Sequence, residues 1–206
     1  MATEFQWLQE YLILVDWMRS KWGGKVKRRF TERYSGSATK TNVGGMLAGV
    51  SSDIDEEVAI EDIFTLESYP AIETMIEGVR LGMALSDSDM LSLSLEHDIR
   101  WEVRVRHEHW ADRIFKRLWL EYEFQTGDSS FDKIYFIIAN DPSHRAIFLD
   151  AAFREMLRKL EPFVGLATTR THLGITRPIE SAELLQSSAI EDLVTLMIRI
   201  ARFLKK

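Results

Sequence analysis

"GDSSFDKIYFIIANDPSH", residues 127–144, decides the fold, because its two ends look like a catalytic signature while its middle reads as a buried strand. The GDS would supply a nucleophilic serine and the D-x-x-H its acid and base. Geometry argues otherwise. If Phe131 to Ile138 runs as one strand rising about 3.3 Å per residue, Ser129 and His144 end on the order of 25 Å apart, whereas a serine and its base must sit within about 3 Å. The stretch is therefore read as turn, strand and helix cap in succession. Gly127 and Asp128 are expected in a hairpin turn. "FDKIYFIIA" is nearly continuous in apolar residues, which predicts a central strand covered on both faces. Asn140 or Asp141 then caps a helix with Pro142 in its first turn, where the missing amide costs nothing.

Toward the C-terminus, Leu149, Phe153, Met156 and Leu160 recur at helical spacing. A short strand follows around "THLGITRP". A last helix starts at Ser188, with Ser188 and Glu191 as a capping box and Ile190, Leu193, Met197, Ile200 and Leu204 as its core stripe. Toward the N-terminus, "RLWLEYEF", the set Ile99, Trp101, Val103 and Val105, "MLSLSLEHD" and "IEGVRLGMAL" read as half-buried strands. "EEVAIEDIFTLESYP" is weakly helical up to Pro70. The Gly/Ser/Thr-rich residues 34–53 predict a long loop. Ahead of them, "TEFQWLQEYLILVDWMRSKW" places Leu8, Tyr11, Val15 and Met18 on one helical stripe, between a Thr3–Gln6 capping box and a Gly23-Gly24 stop. Helix, strands, helix, strand, helix predicts the α+β class: an antiparallel sheet with an amphipathic N-terminal helix and two C-terminal helices packed on it. Residues 1–56 would hold the N-terminal helix, a basic segment and the loop; residues 57–206 would form a single α+β domain.

A chain of 206 residues, 46% hydrophobic, with six Trp and eleven Phe, buries a core without staples. It has no cysteine, which excludes disulfides, thiolate nucleophiles and Cys-ligated metal sites. That composition, with no signal-like leader and no apolar run long enough to span a bilayer, predicts a cytoplasmic protein. A net charge of −6 argues against nucleic acid as a partner. The charge is unevenly spread. Thirteen carboxylates but only one cation, Arg80, fall between Thr41 and Ile99, while "RSKWGGKVKRRFTER", residues 19–33, holds seven cations against the single Glu32. A solvated, partly self-compensating surface is the expectation.

The candidate sites follow from these patterns. His107 and His109 fall on one side of a strand, a spacing that offers two metal ligands, with His97, Glu108 or Asp112 as a third. Lys25, Lys27, Arg28 and Arg29, flanked by Trp22 and Tyr34, suit phosphates or anionic lipid headgroups. Trp7, Leu14 and Trp17 widen the apolar surface of the first helix beyond one stripe and point to an interface. "NVGGMLAG" matches neither a P-loop nor a dinucleotide fingerprint.

Gly127 and Asp128, Phe131 with Tyr135 and Phe136, Asp141, Arg145, Leu149 and the pair Met156-Leu157 follow a progression of strand, acidic turn, F-x-x-x-F-like strand, acidic residue before a helix, and further short strand. Over residues 121–178 this resembles a bacterial family of domains of unknown function. The resemblance implies a fold and carries over no catalytic residue. Such domains often follow membrane-spanning helices, which this sequence lacks.

The sequence thus predicts a non-catalytic binding module that self-associates or engages a protein partner through the aromatic N-terminal helix, with no cofactor. A small-molecule or metal-dependent enzyme using His107 and His109 is one alternative. A peripheral binder of anionic membranes or phosphate ligands through Lys25–Arg29 is the other.

Overall fold

The computed structural model describes residues 7–29, 69–85, 89–99, 101–107, 124–139 and 141–205. The first helix, α1, spans Leu8–Trp22 and ends at Gly23, whose φ of 70° stops it where the glycine pair predicts. Its buried side chains are Tyr11, Leu12, Leu14, Val15 and Met18. Five strands follow: β1 Lys25–Arg29, β2 Tyr69–Ile76, β3 Val79–Leu85, β4 Met90–Glu96 and β5 Val103–His107. A single helical turn, α2, spans Ser129–Asp132, then come β6 Tyr135–Ala139, a 3-10 helix Pro142–Leu149 and α3 Ala151–Lys159. The chain closes with β7 Gly165–Thr168, β8 His172–Pro178, a 3-10 turn Ala182–Leu185 and α4 Ser187–Leu204.

Among the described residues the strands form one sheet in the order β1-β2-β3-β4-β8-β7-β5-β6, antiparallel at every pairing. Strand alternation sorts the side chains between two faces. Leu81, Met83 and Leu85 of β3, Leu91, Leu93 and Leu95 of β4, Leu173 and Ile175 of β8, and Val103 and Val105 of β5 all join one core. Side chains of α1, α3 and α4 complete that core from the same side. The predicted α+β architecture, an antiparallel sheet carrying an N-terminal helix and two C-terminal helices, is the one observed.

Several local readings change. The stretch Tyr69-Pro70 belongs to β2, so the chain is extended at Pro70; the residues ahead of it lie outside those described. "IEGVRLGMAL" is not one strand: Glu77 and Gly78, both at positive φ, turn β2 into β3. Asp128 is the cap of α2, its carboxylate accepting from the Ser130 and Phe131 amides, and not part of a hairpin. The strand that follows is β6, which among the described residues is the last in the sheet rather than central. Its apolar run has another cause. Tyr135, Ile137 and Ala139 face the core, while Phe136 on the opposite face lies under the Arg106 guanidinium at 4.5 Å.

The helix predicted after Asp141 is broken in two. Asp141 caps the 3-10 helix through the Ser143 amide, and Asp150 caps α3 through the Ala152 and Phe153 amides. The change of pitch makes Phe148 the buried side chain and leaves Leu149 57% exposed. In α4 the expected stripe is buried, but Ser188 lies within the helix and Gln186 occupies the cap without a side-chain bond. Glu191 pairs instead with Lys21 at 2.5 Å, tying α4 to α1. The boundary at residue 56 lies outside the described residues. On its N-terminal side, α1 and β1 share the sheet and core of everything that follows.

Candidate functional site

The strand β5 delivers His107 to the helix-covered face, directly across from Tyr135 of β6. Above them the chain leaves α3 and presents Glu161. Both carboxylate oxygens of Glu161 are taken: Oε1 accepts the Tyr135 hydroxyl at 2.5 Å, and Oε2 lies 3.2 Å from His107 Nε2 and accepts the Phe163 amide at 3.2 Å. Phe163 stacks on Tyr135 at 5.8 Å and borders the His107 ring at 5.6 Å. Burial, reinforced by the bond to the neighbouring carboxylate, pushes the Tyr135 phenol well above its ordinary range, so it stays a donor. These groups are spent on fastening the Glu161 segment to β5 and β6.

A second cluster lies beside it. Asp128 receives Arg158 Nη2 at 2.6 Å and approaches Arg154 Nε at 3.4 Å, both arginines coming from α3. Ser130, through its hydrogen bond, and then Arg158 hold the Asp128 carboxyl well below the usual carboxylate range. Arg158 also lies over the Phe131 ring at 5.5 Å. Ser129, the serine of the GDS, is thus the first residue of α2, and its neighbour Ser130 bonds the Asp128 cap. His144, at the other end of β6, accepts the Glu102 amide on Nδ1 at 3.1 Å and stands edge-on to Trp101. The two halves of the apparent serine site have separate structural partners.

The other candidates distribute as follows. His109, Glu108 and Asp112 lie outside the described residues. His97 sits at the end of β4, with β8 and β7 between it and β5, so it does not join His107. Among the described residues no three metal-ligating side chains converge. Lys25 is exposed and stands opposite Glu73; Lys27, Arg28 and Arg29 occupy the β1 register positions facing Ala71, Pro70 and Tyr69. The acidic interval is partly neutralised within the fold, Arg202 meeting Glu77 at 2.6 Å and Arg80 meeting Glu96 at 3.4 Å.

Of the three residues predicted as an interface on α1, Leu14 needs correction. Leu14 is 2% exposed and belongs to the chain's own core. Trp7 and Trp17 are half-buried against that core, and Trp17 meets Trp22 edge-to-face at 5.0 Å with Lys21 beside both rings. The helix packs on two sides, as its composition demands, but both sides are within this chain. Its outward residues Gln9, Asp16 and Ser20 are polar, interrupted by Ile13.

The second face of the sheet has a different character. Following the register, Gly82, Ser94, Gly174 and Ala167 form one row across β3, β4, β8 and β7, and Ala84, Ser92, Thr176 and Gly165 form the next. No side chain in this floor exceeds threonine. The first row continues into Glu73 on one side and into Arg104 and Ile138 on the other, and the second into Ala71 on one side and into Arg106 and Phe136 on the other. At one end, Met75, Arg80, Glu96 and His97 line a shallow depression of about 350 Å³. Among the described residues no helix lies over this face. The sequence signal was present in "MLSLSLE" and "HLGIT", whose alternate positions are small, but only the register shows that they adjoin.

Among the described residues no helix is long and apolar enough to cross a membrane. No family model and no curated protein matches the chain. Among solved structures it is similar to the mycobacterial trehalose monomycolate transport factor A, at 10% identity over 70% of this chain and 78% of that one, with a TM-score of 0.45.

Proposed function

We propose that this protein is a non-catalytic binding module that receives a protein partner on the second face of its sheet. One observation carries the reading: α1, α3 and α4 pack on one side, while the other presents a floor of Gly, Ala, Ser and Thr four strands wide, with Arg104 and Arg106 along one flank and Glu73 beside one row on the other. Strands about 4.8 Å apart make that floor roughly 15–19 Å across, and a helix about 10 Å in diameter fits it. Small floor residues let a partner approach the sheet closely, and Arg104 adds directional contacts at one flank. The most chemically equipped cluster, Glu161 with Tyr135 and His107, supports a non-catalytic reading because its polar atoms hold the fold together.

A photo-crosslinking residue placed at Ser94, on the floor, tests this against one at Gln9, on the outer side of α1. In the native host, Ser94 is expected to yield a discrete adduct that disappears when Thr176→Arg is added. An adduct of twice the chain mass identifies self-association, and any other mass a distinct protein. If Ser94 gives no adduct beyond those seen from Gln9, the second face is not the docking surface.

A further inference from the structure

The second face of the sheet carries its own complement. Its first row runs from Glu73 on β2 through Gly82, Ser94, Gly174 and Ala167 to Arg104 on β5. A carboxylate closes one end of the row and a guanidinium the other, and the midpoint falls between β4 and β8. Arg106, one row on, lies over Phe136, whereas Arg104 meets no carboxylate among the described residues. Strands about 4.8 Å apart put Glu73 and Arg104 roughly 24 Å from each other. A helix about 10 Å in diameter lies on the floor but reaches only one of them. A second sheet reaches both.

A twofold axis running along the strands, between β4 and β8, lays one copy's face on another's and reverses the strand order. Glu73 of each copy then stands over Arg104 of the other. Gly82 faces Ala167 and Ser94 faces Gly174, small against small, and in the next row Ser92 faces Thr176. At the rim, the exposed Glu96 faces His172 of the other copy. Such an axis returns the same twist, so the two faces stay evenly spaced. Sliding one copy by a single strand sets Arg104 over Lys25 or Glu73 over Ile138 instead, so the charges fix one register. The eight strands span roughly 34 Å and five residues run about 17 Å, which gives on the order of 600 Å² per copy and about 1,200 Å² in total. That area suits a specific, reversible dimer.

We propose, on the reading that this face is the docking surface, that its occupant is a second copy of the chain, two floors meeting about this axis with Glu73 of each on Arg104 of the other. The planar fork of a guanidinium matches a carboxylate in two-point contact, so these pairs orient the copies while the small residues between them allow close approach.

The test is sedimentation equilibrium of the full chain from about 1 to 300 μM, the range in which an interface of this size dissociates. The parent is expected to show a monomer–dimer equilibrium. Glu73→Arg sets like charges over each other twice in the dimer, and so does Arg104→Glu; each should raise the dimer Kd at least about tenfold. An equimolar mixture of the two variants restores both opposite-charge contacts and should dimerise as the parent does, with one chain of each kind. Variants weakened only by a local folding defect gain nothing from mixing. The proposal is overturned if the parent stays monomeric, if either variant dimerises as tightly as the parent, or if mixing restores nothing. Should Glu73→Arg fail to fold, Ser94→Arg decides: it should be monomeric throughout the range, and a dimer as tight as the parent's overturns the proposal. A monomeric parent whose Ser94 crosslinks a protein of another mass overturns the second copy and leaves the docking face standing. Absence of any Ser94 adduct beyond those from Gln9 removes both.

Discussion

Asp128 shows how much one side chain organises here. It accepts from the Ser130 amide and hydroxyl and the Phe131 amide, and receives Arg158. All of these bonds favour the ionised carboxyl. Its proton affinity is thus lower in the folded chain than in the unfolded one, where a carboxyl titrates near about 3.9. The stabilisation it supplies is complete above that value and is lost as pH falls below it toward the depressed folded value. Asp128→Asn should lower the urea midpoint at pH 7 and flatten its decline between about pH 4 and 2. A parallel decline in variant and parent would show that the acid sensitivity comes from elsewhere. Sequence reading singled out Asp128 for a local backbone role, which is right in kind, but no spacing rule connects it to arginines thirty positions on.

At the level of elements, the entry from α1 into β1 depends on a close approach. A Cβ on Gly24 would lie 2.4 Å from the Glu73 carbonyl oxygen and 2.9 Å from the Thr74 Cβ, at a φ of +121°. Gly127, at φ +81°, has open space around it. Gly127→Ala should therefore cost about 1–2 kcal/mol, the strain of a left-handed backbone. Gly24→Ala adds a backbone overlap, and should cost at least about 3 kcal/mol in chemical denaturation; equal costs would mean that β2 yields easily. Periodicity located α1, β4 and α4 because each buries a regular stripe in this chain's core. It misplaced the 3-10 helix because two successive aspartate caps, Asp141 and Asp150, reset the phase midway. It took β6 for a central strand because an arginine lid over Phe136 imitates a second buried face.

At the scale of the whole molecule, α1 is part of the core rather than an appendage. Its five buried side chains, Tyr11, Leu12, Leu14, Val15 and Met18, contribute about 1.5–3 kcal/mol each. Together that is on the order of 10 kcal/mol, comparable with the whole net stability of a domain. A chain lacking residues 1–22 should show no cooperative thermal transition. Leu14→Ala alone should lower stability by about 2–5 kcal/mol and leave the sedimentation coefficient unchanged; a shift toward smaller species would instead restore Leu14 to an interface. The α+β class was readable from the order of elements, whereas the adjacency of β4 and β8 was not, because pairing between residues so far apart leaves no local mark. That adjacency sets a timetable. Seven residue pairs, Met90↔Pro178 through Glu96↔His172, join an early ribbon to a late one, and closing so long an intervening chain is slow. Ser92 and Ser94 leave the ribosome long before Gly174 and Thr176, so the shared floor comes into being only after β8 has emerged. Any partner that recognises it reads a chain whose β4 and β8 have already paired, and shorter nascent copies are invisible to it.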